Sequence, residues 1–283
     1  MSAEGFSVEP VNDALHPTVQ GDLFLPSHPS GWGVLVLGGS SGRLDVHGAQ
    51  LLARAGAIAL AQRWFGQPGL PDAIRDVPLE LFIEGIDLLE SRGCSRVALL
   101  GRSRGAEAVL LVAVHDKRPR AVFALSPSSV AWAGTGLEGR PSWTFGGNGV
   151  PFVPYDLAWW EQPHQGLIEY REYHERSLRA DPQVTARAHI QVERTRAQLI
   201  LVAGAADALW PSDAFARSIA QRLRDHARTC ALLIHPGAGH RILLPGESTP
   251  RSQLHAHGGT DHADAELGKA AWNAIVECMQ GTT

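Results

Sequence analysis

The chain has 283 residues, 44% of them hydrophobic, and a formal net charge of −4. That is ample apolar material for one large core, with none of the basic excess that nucleic acid or an acidic membrane attracts. The longest uninterrupted apolar stretch, 108–114, is far short of the ~20 residues that span a bilayer.

In chain order, short apolar runs at 23–25, 33–37, 57–61, 97–100, 121–125, 199–202 and 231–234 read as strands. Several are apolar throughout rather than alternating, which suits strands buried on both faces of a parallel sheet. Segments of helical spacing at 50–54, 79–91, 105–114, 213–227 and 262–279 lie between or after them. This βαβα rhythm predicts a doubly wound, mostly parallel α/β sheet in a single domain spanning 1–283. The stretch from about 131 to 197 breaks the rhythm. It shows no clear strand, is rich in Gly and Pro as far as Pro163, and carries Trp132, Trp143, Trp159 and Trp160 with Phe145, Phe152 and Tyr155. So much aromatic surface must be buried against something, so a loop-rich lid is expected there. Trp132, Trp143, Phe145 and Trp159 are its candidate substrate-pocket walls. Three cysteines, Cys94, Cys230 and Cys278, lack C-x-x-C spacing and suit neither a disulfide framework nor a zinc knuckle. The first residues lack the basic and apolar segments of a secretory leader. A cytoplasmic location is the expectation.

The run Val97-Ala-Leu-Leu-Gly101-Arg102-Ser103-Arg104-Gly105 carries the chemistry. A buried strand enters G-x-S-x-G and a helix starts at once, so the serine hydroxyl is exposed on a sharp turn while the glycines let neighbouring backbone approach. The N–H of Arg104 then lies at a helix start, where it can face an oxyanion. A serine needs a base, and the base an orienting acid. The next two strands end in Asp207 and in His235-Pro-Gly-Ala-Gly-His240. The order Ser103, Asp207, His240 is that of α/β-hydrolases. A rival base, His235, finishes its own strand. A rival acid, Asp213, sits where a helix-capping role is expected. Ser126 also follows a strand, but the adjacent Pro127 argues against elbow geometry. His255, His257 and His262 lack Cys or carboxylate partners at metal-ligand spacing, so no metal is expected. The Gly-rich turn after the 33–37 strand offers Ser40, then Ser41, as the second oxyanion donor. It has neither G-x-G-x-x-G nor G-K-[ST] for a nucleotide. Arg102 and Arg104 flank the nucleophile. One of them is a candidate to hold an anionic substrate group; the plainer expectation is that Arg104 covers helix surface and Arg102 pairs with an acid such as Glu107.

Leu23-Phe-Leu-Pro, Gly38-Gly-Ser-Ser-Gly with Leu51-Leu-Ala-Arg-Ala-Gly, Leu100-Gly-Arg-Ser103-Arg-Gly-Ala-Glu, Ser126-Pro-Ser-Ser, Asp207-Ala-Leu-Trp210-Pro-Ser, Gly237-Ala-Gly-His240 and the late Gly258-Gly-Thr together resemble one family over nearly the whole chain. It is that of the acyl-CoA thioester hydrolases and bile acid-CoA:amino acid N-acyltransferases, in their C-terminal α/β-hydrolase domain. The resemblance implies an acyl-enzyme on Ser103, with His240 as base and Asp207 as acid, and it adds Trp210 to the substrate-binding candidates. It implies no cofactor, CoA being part of the substrate, and a small acyl thioester or ester as partner; an acyl carrier protein is a second candidate carrier. Larger members carry an N-terminal β-sandwich; with only about twenty residues before the first predicted strand, that domain is not expected in this sequence. Amino-acid-conjugating members use cysteine where this chain has Ser103, which favours hydrolysis over amide formation.

Overall fold

The structure is a computed structural model that describes residues 5–136, 139–161 and 166–281. In chain order its elements are β1 (Phe6–Pro10), β2 (Gln20–Pro26), β3 (Trp32–Leu37), α1 (Val46–Arg54), β4 (Ile58–Arg63), β5 (Val77–Pro78), α2 (Glu80–Ser91), β6 (Arg96–Arg102), α3 (Arg104–His115) and β7 (Pro119–Leu125). They continue with β8 (Trp143–Phe145), β9 (Asn148–Gly149), α4 (Arg171–Ala180), α5 (Pro182–Ala188), β10 (Gln198–Gly204), α6 (Ser212–Asp225), β11 (Ala231–His235) and α7 (Asp261–Gln280).

Eight strands form one sheet in the order β1-β2-β4-β3-β6-β7-β10-β11. Those from β4 to β11 run parallel, and β2 and β1 close one edge antiparallel. The continuous apolar runs have a simple cause: alternate residues serve two cores. Leu35, Leu37, Val97, Leu99, Leu199 and Leu201 pack in the layer with α2, α3 and α6. Val34, Val36, Ala98, Leu100, Ile200 and Val202 face α1 and α7 on the other side. This is an α/β-hydrolase fold. The edge strand β1 escapes the sequence pattern because it buries little besides Phe6.

The segment between β7 and β10 is more ordered than its composition suggests. It contains β8 and β9, which join β5 in a small second sheet, and the helices α4 and α5. Helix α4 reads Arg-Glu-Tyr-His-Glu-Arg-Ser-Leu-Arg-Ala and buries only Tyr173 and Ser177, too few apolar positions for a hydrophobic period to show. Among the described residues no helix is long and apolar enough to cross a membrane.

After β3 the chain moves outward to β4 and then returns to place β6 on the other side of β3. The crevice at such a reversal, at the carboxyl ends of the strands, is where open α/β sheets bind ligands. The loops after β3, β6, β7, β10 and β11 all open onto that rim.

Candidate active site

Ser103 occupies the turn between β6 and α3 with φ 55° and ψ −118°, a conformation that costs on the order of 1–3 kcal/mol for a residue with a side chain. Packing holds it there. A Cβ on Gly101 would lie 2.2 Å from the Gly105 carbonyl oxygen, and one on Gly105 would lie 2.5 Å from the carbonyl oxygens of Leu37 and Gly38. Strand, helix and the β3 loop therefore touch backbone to backbone, and only glycine fits at either place. Ser103 N–H donates to Leu125 O at 2.9 Å, which ties the turn to the end of β7.

Asp207 lies three residues beyond β10 and is buried. Its Oδ2 accepts from His240 Nδ1 at 2.8 Å, and its Oδ1 accepts from the backbone N–H groups of Leu209 at 2.9 Å and Trp210 at 3.2 Å. His240 comes from the loop after β11. Its N–H donates to His257 O at 2.8 Å, and its own carbonyl accepts from Ser126 Oγ at 2.9 Å. Ser126 does adopt a left-handed φ of 50° despite Pro127, and its hydroxyl braces the His240 loop.

Two cavities meet at Ser40, Ser103, Leu209, His240 and His255. One, of about 560 Å³, is a polar cleft reaching Ser41, Arg43, Arg241, Arg251 and His257. The other, of about 340 Å³, is aromatic, walled by Tyr155, Tyr170, Tyr173, His174 and Trp210 with Ile74, Arg104 and Thr135. Burial holds His174 neutral, its pKa lowered to about 4, and His257 in the cleft is likewise lowered to about 4, by burial and then by neighbouring cations.

Of the aromatic residues expected as pocket walls, Trp210 lines the chamber beside Ser103. Trp132 and Trp159 stand one layer behind: Trp132 stacks on Tyr155 at 5.6 Å, and Trp159 packs against Tyr173 at 5.1 Å. Trp143 belongs to the core, against Trp64 and Phe82. Phe145 lines a separate cavity beside His115. The Trp160 side chain lies outside the described part of the chain. For Trp132, Trp143 and Trp159 the correction has one cause. Tryptophan has the most surface to hide, so the lid tryptophans anchor it while the tyrosines of α4 and its approach, with a polar end each, face the cavity. Those tyrosines and His174 escaped sequence reasoning because α4 itself did.

The flanking arginines also require correction. Arg102 donates to Asp45 Oδ2 at 2.5 Å, to Ile242 O at 2.7 Å and to Glu247 Oε2 at 3.0 Å. Burial would discharge it, but the two carboxylates outweigh that and raise its pKa. Its guanidinium is thus committed to the protein rather than to an anionic substrate group. Arg104 is buried, not spread over helix surface. It pairs with Glu107 at 2.6 Å and bonds Ser142, while Glu107 also accepts from Trp132 N–H at 2.9 Å and Trp143 Nε1 at 2.6 Å. His235 pairs with Glu266 at 3.4 Å. Asp213 receives Arg171 at 3.0 Å in the first turn of a helix whose N-cap position is Pro211.

The sequence model of the family described as "BAAT / Acyl-CoA thioester hydrolase C terminal" matches residues 77–282. The chain belongs to this family. It is 28% identical over 270 residues to human acyl-coenzyme A thioesterase 1, covering 91% of this chain and 62% of that protein. It is also 28% identical over 232 residues to the mouse bile acid-CoA:amino acid N-acyltransferase, covering 80% and 53% respectively. The chain thus spans roughly half to six tenths of the length of these thioester-hydrolase family relatives. Among solved structures, a putative dienelactone hydrolase from Klebsiella pneumoniae superposes with a TM-score of 0.62 at 16% identity, over 98% of this chain and 99% of that one, a likeness of fold alone. The region matched begins before the G-x-S-x-G turn and runs through α7, so Ser103, Asp207 and His240 all fall within it.

Proposed function

We propose that this chain is a serine hydrolase that cleaves acyl thioesters through an acyl-enzyme on Ser103. The observation that carries the proposal is the junction itself: a serine on a strained strand-to-helix turn shares two cavities with a histidine whose Nδ1 is bonded to a buried aspartate. The names of its relatives, thioesterase and acyl-CoA N-acyltransferase, supply the substrate class.

In this mechanism His240 takes the Ser103 proton through Nε2 as Oγ attacks the thioester carbonyl carbon, and Asp207 fixes the tautomer and stabilises the imidazolium. The carbonyl becomes a tetrahedral oxyanion, met by the N–H of Arg104 at the start of α3 and by the N–H of Ser40, with Ser41 next in the same loop; such donors are worth about 3 kcal/mol each. The C–S bond then breaks, the thiol leaves with the proton from His240, and a water activated by the same base hydrolyses the acyl-serine. The aromatic chamber suits the acyl group. The polar cleft suits the thiol carrier, with Arg43 exposed at its edge and paired with no carboxylate among the described residues.

Mass spectrometry of the intact protein mixed with an acyl-CoA is expected to show one added acyl group on the wild type and none on Ser103→Ala, whose turnover should fall by at least 10³-fold. Turnover by Ser103→Ala at the wild-type rate would end the proposal. Adding glycine to the same assay separates hydrolysis from N-acyl transfer: hydrolysis gives free acid whether or not the amine is present.

A further inference from the structure

The late motif Gly258-Gly-Thr and the buried Asp264 take no part in the mechanism above, yet both press on the loop that carries His240. Gly258 pairs with Asp207 in an antiparallel bridge, and the carbonyl just before it, that of His257, accepts from His240 N–H at 2.8 Å. Both glycines have left-handed φ, 70° and 59°. A Cβ on Gly258 would lie 1.8 Å from Ala206 O, and one on Gly259 would lie 2.1 Å from Gly239 N. Only glycine therefore lets this segment run backbone to backbone with both the acid turn and the base loop. Thr260 then caps α7, its Oγ1 accepting from Ala263 N–H at 3.2 Å, and the first turn of that helix delivers Asp264.

Asp264 is fully buried. Its Oδ1 accepts from Gly239 N–H at 2.7 Å and its Oδ2 from the Arg241 guanidinium at 3.4 Å. These are the residues immediately before and after His240. Arg241 is itself buried, and it also reaches Asp261 and the Thr249 carbonyl. Arg251 lies 3.8 Å from the same Oδ2 and donates to the Gly258 and Gly259 carbonyls at 2.9 and 3.0 Å. Burial raises the carboxyl pKa against the pull of Gly239 N–H, Arg241 and Arg251. Enclosing a carboxylate is costly unless its partners are well placed, and here they converge on one loop. The carboxylate bonds neither the imidazole nor Ser103, so any effect it has on the chemistry passes through the backbone around His240.

Resting on the hydrolase reading above, we propose that Asp264 is a positioning residue for the catalytic base: by holding Gly239 N–H and the Arg241 guanidinium it fixes the chain on both sides of His240 and keeps the imidazole registered between Asp207 and Ser103. A displacement of about 1 Å in a reacting group can cost on the order of 10²-fold in rate, so a grip on both neighbours of the base is worth a buried charge.

The test uses the full chain. In Asp264→Asn the amide can accept from Gly239 N–H, but its NH2 then meets the donors of Arg241, and one grip is lost. With an acyl-CoA substrate, at a temperature where circular dichroism shows a folded chain, kcat is expected to fall roughly 10–100-fold with KM within about threefold. A second readout needs no substrate. The proton shared by His240 Nδ1 and Asp207, assigned as the downfield imidazole resonance absent from His240→Ala, should shift or broaden in Asp264→Asn. The double variant Asp264→Asn/Arg241→Gln, whose two amides can pair with each other while the first still accepts from Gly239, should recover at least about tenfold of the lost kcat. A folded Asp264→Asn with kcat within about threefold of wild type overturns the proposal, as does an unmoved proton resonance. No recovery in the double variant overturns the two-sided grip. Should Asp264→Asn not fold, Arg241→Lys is read by the same two measurements and the same limits, since one ammonium cannot meet all three acceptors of the guanidinium. A wild-type chain that neither turns over acyl-CoA nor reacts with a fluorophosphonate counts against the hydrolase reading instead, and the proton resonance alone then judges Asp264.

Discussion

Asp207 uses both carboxylate oxygens, Oδ2 on the imidazole and Oδ1 on two backbone N–H groups of its own turn. Asparagine can keep the Oδ1 acceptor but not the negative charge that orients and stabilises the imidazolium. Asp207→Asn is therefore expected to lower kcat on an acyl-CoA by about 10³–10⁴-fold, with a melting temperature close to that of the wild type; a kcat within tenfold would contradict its assigned role. This residue was legible in the sequence because its position after a strand, and its place in the order with Ser103 and His240, are properties of the chain alone. Trp210 shows the opposite case. Its neighbourhood to Asp207 can be read, but its place in the chamber wall depends on the His174 ring, brought against it at 5.7 Å by α4 from far away in sequence.

At the level of elements, Arg102 joins three pieces that come from different parts of the chain. It reaches Asp45, whose Oδ1 also caps α1 by accepting from Gly48 N–H at 2.9 Å, and it reaches the Ile242 carbonyl and Glu247 beyond His240. The loop with Ser40, the elbow and the loop with His240 are thus fastened at one point. Arg102→Met keeps the apolar stem but leaves two largely buried carboxylates uncompensated, a loss of about 3 kcal/mol. Calorimetry should show a melting temperature lower by roughly 6–12 °C for a chain of this size. The double variant Arg102→Met/Glu247→Gln should recover part of it; an unchanged melting temperature in Arg102→Met would refute the fastening role. Lysine is not an equivalent, since one ammonium cannot reproduce the planar fork that meets all three acceptors.

For the molecule as a whole, pH is the informative variable. His174 has a pKa lowered by burial to about 4 when folded, against about 6.5 in an unfolded chain. The unfolded state therefore binds more protons between these values. The stabilisation is complete above pH ~6.5 and is lost as pH falls towards 4, on the order of 3 kcal/mol for this residue. His257, lowered to about 4 as well, adds in the same direction. The urea midpoint is expected to drop between pH 7.5 and 5, and to drop less in His174→Gln. Identical pH profiles for the two proteins would show that His174 does not remain neutral inside the fold.

Local pattern alone determined the sheet, the elbow and the chain order of Ser103, Asp207 and His240. Uniformly apolar runs betray strands buried on both faces, and G-x-S-x-G between strand and helix marks a turn whose glycines are needed within a few residues. The tertiary structure decided which aromatic side chains see the cavity, where Arg102 and Arg104 spend their charge, and that a highly charged segment folds as α4 with Tyr173 turned inward. Apart from the Arg104–Glu107 pair, three residues apart, those outcomes depend on contacts between residues tens to hundreds of positions apart. Side chains of one type carry the same local signal whether they end in a core, behind a wall or on its face.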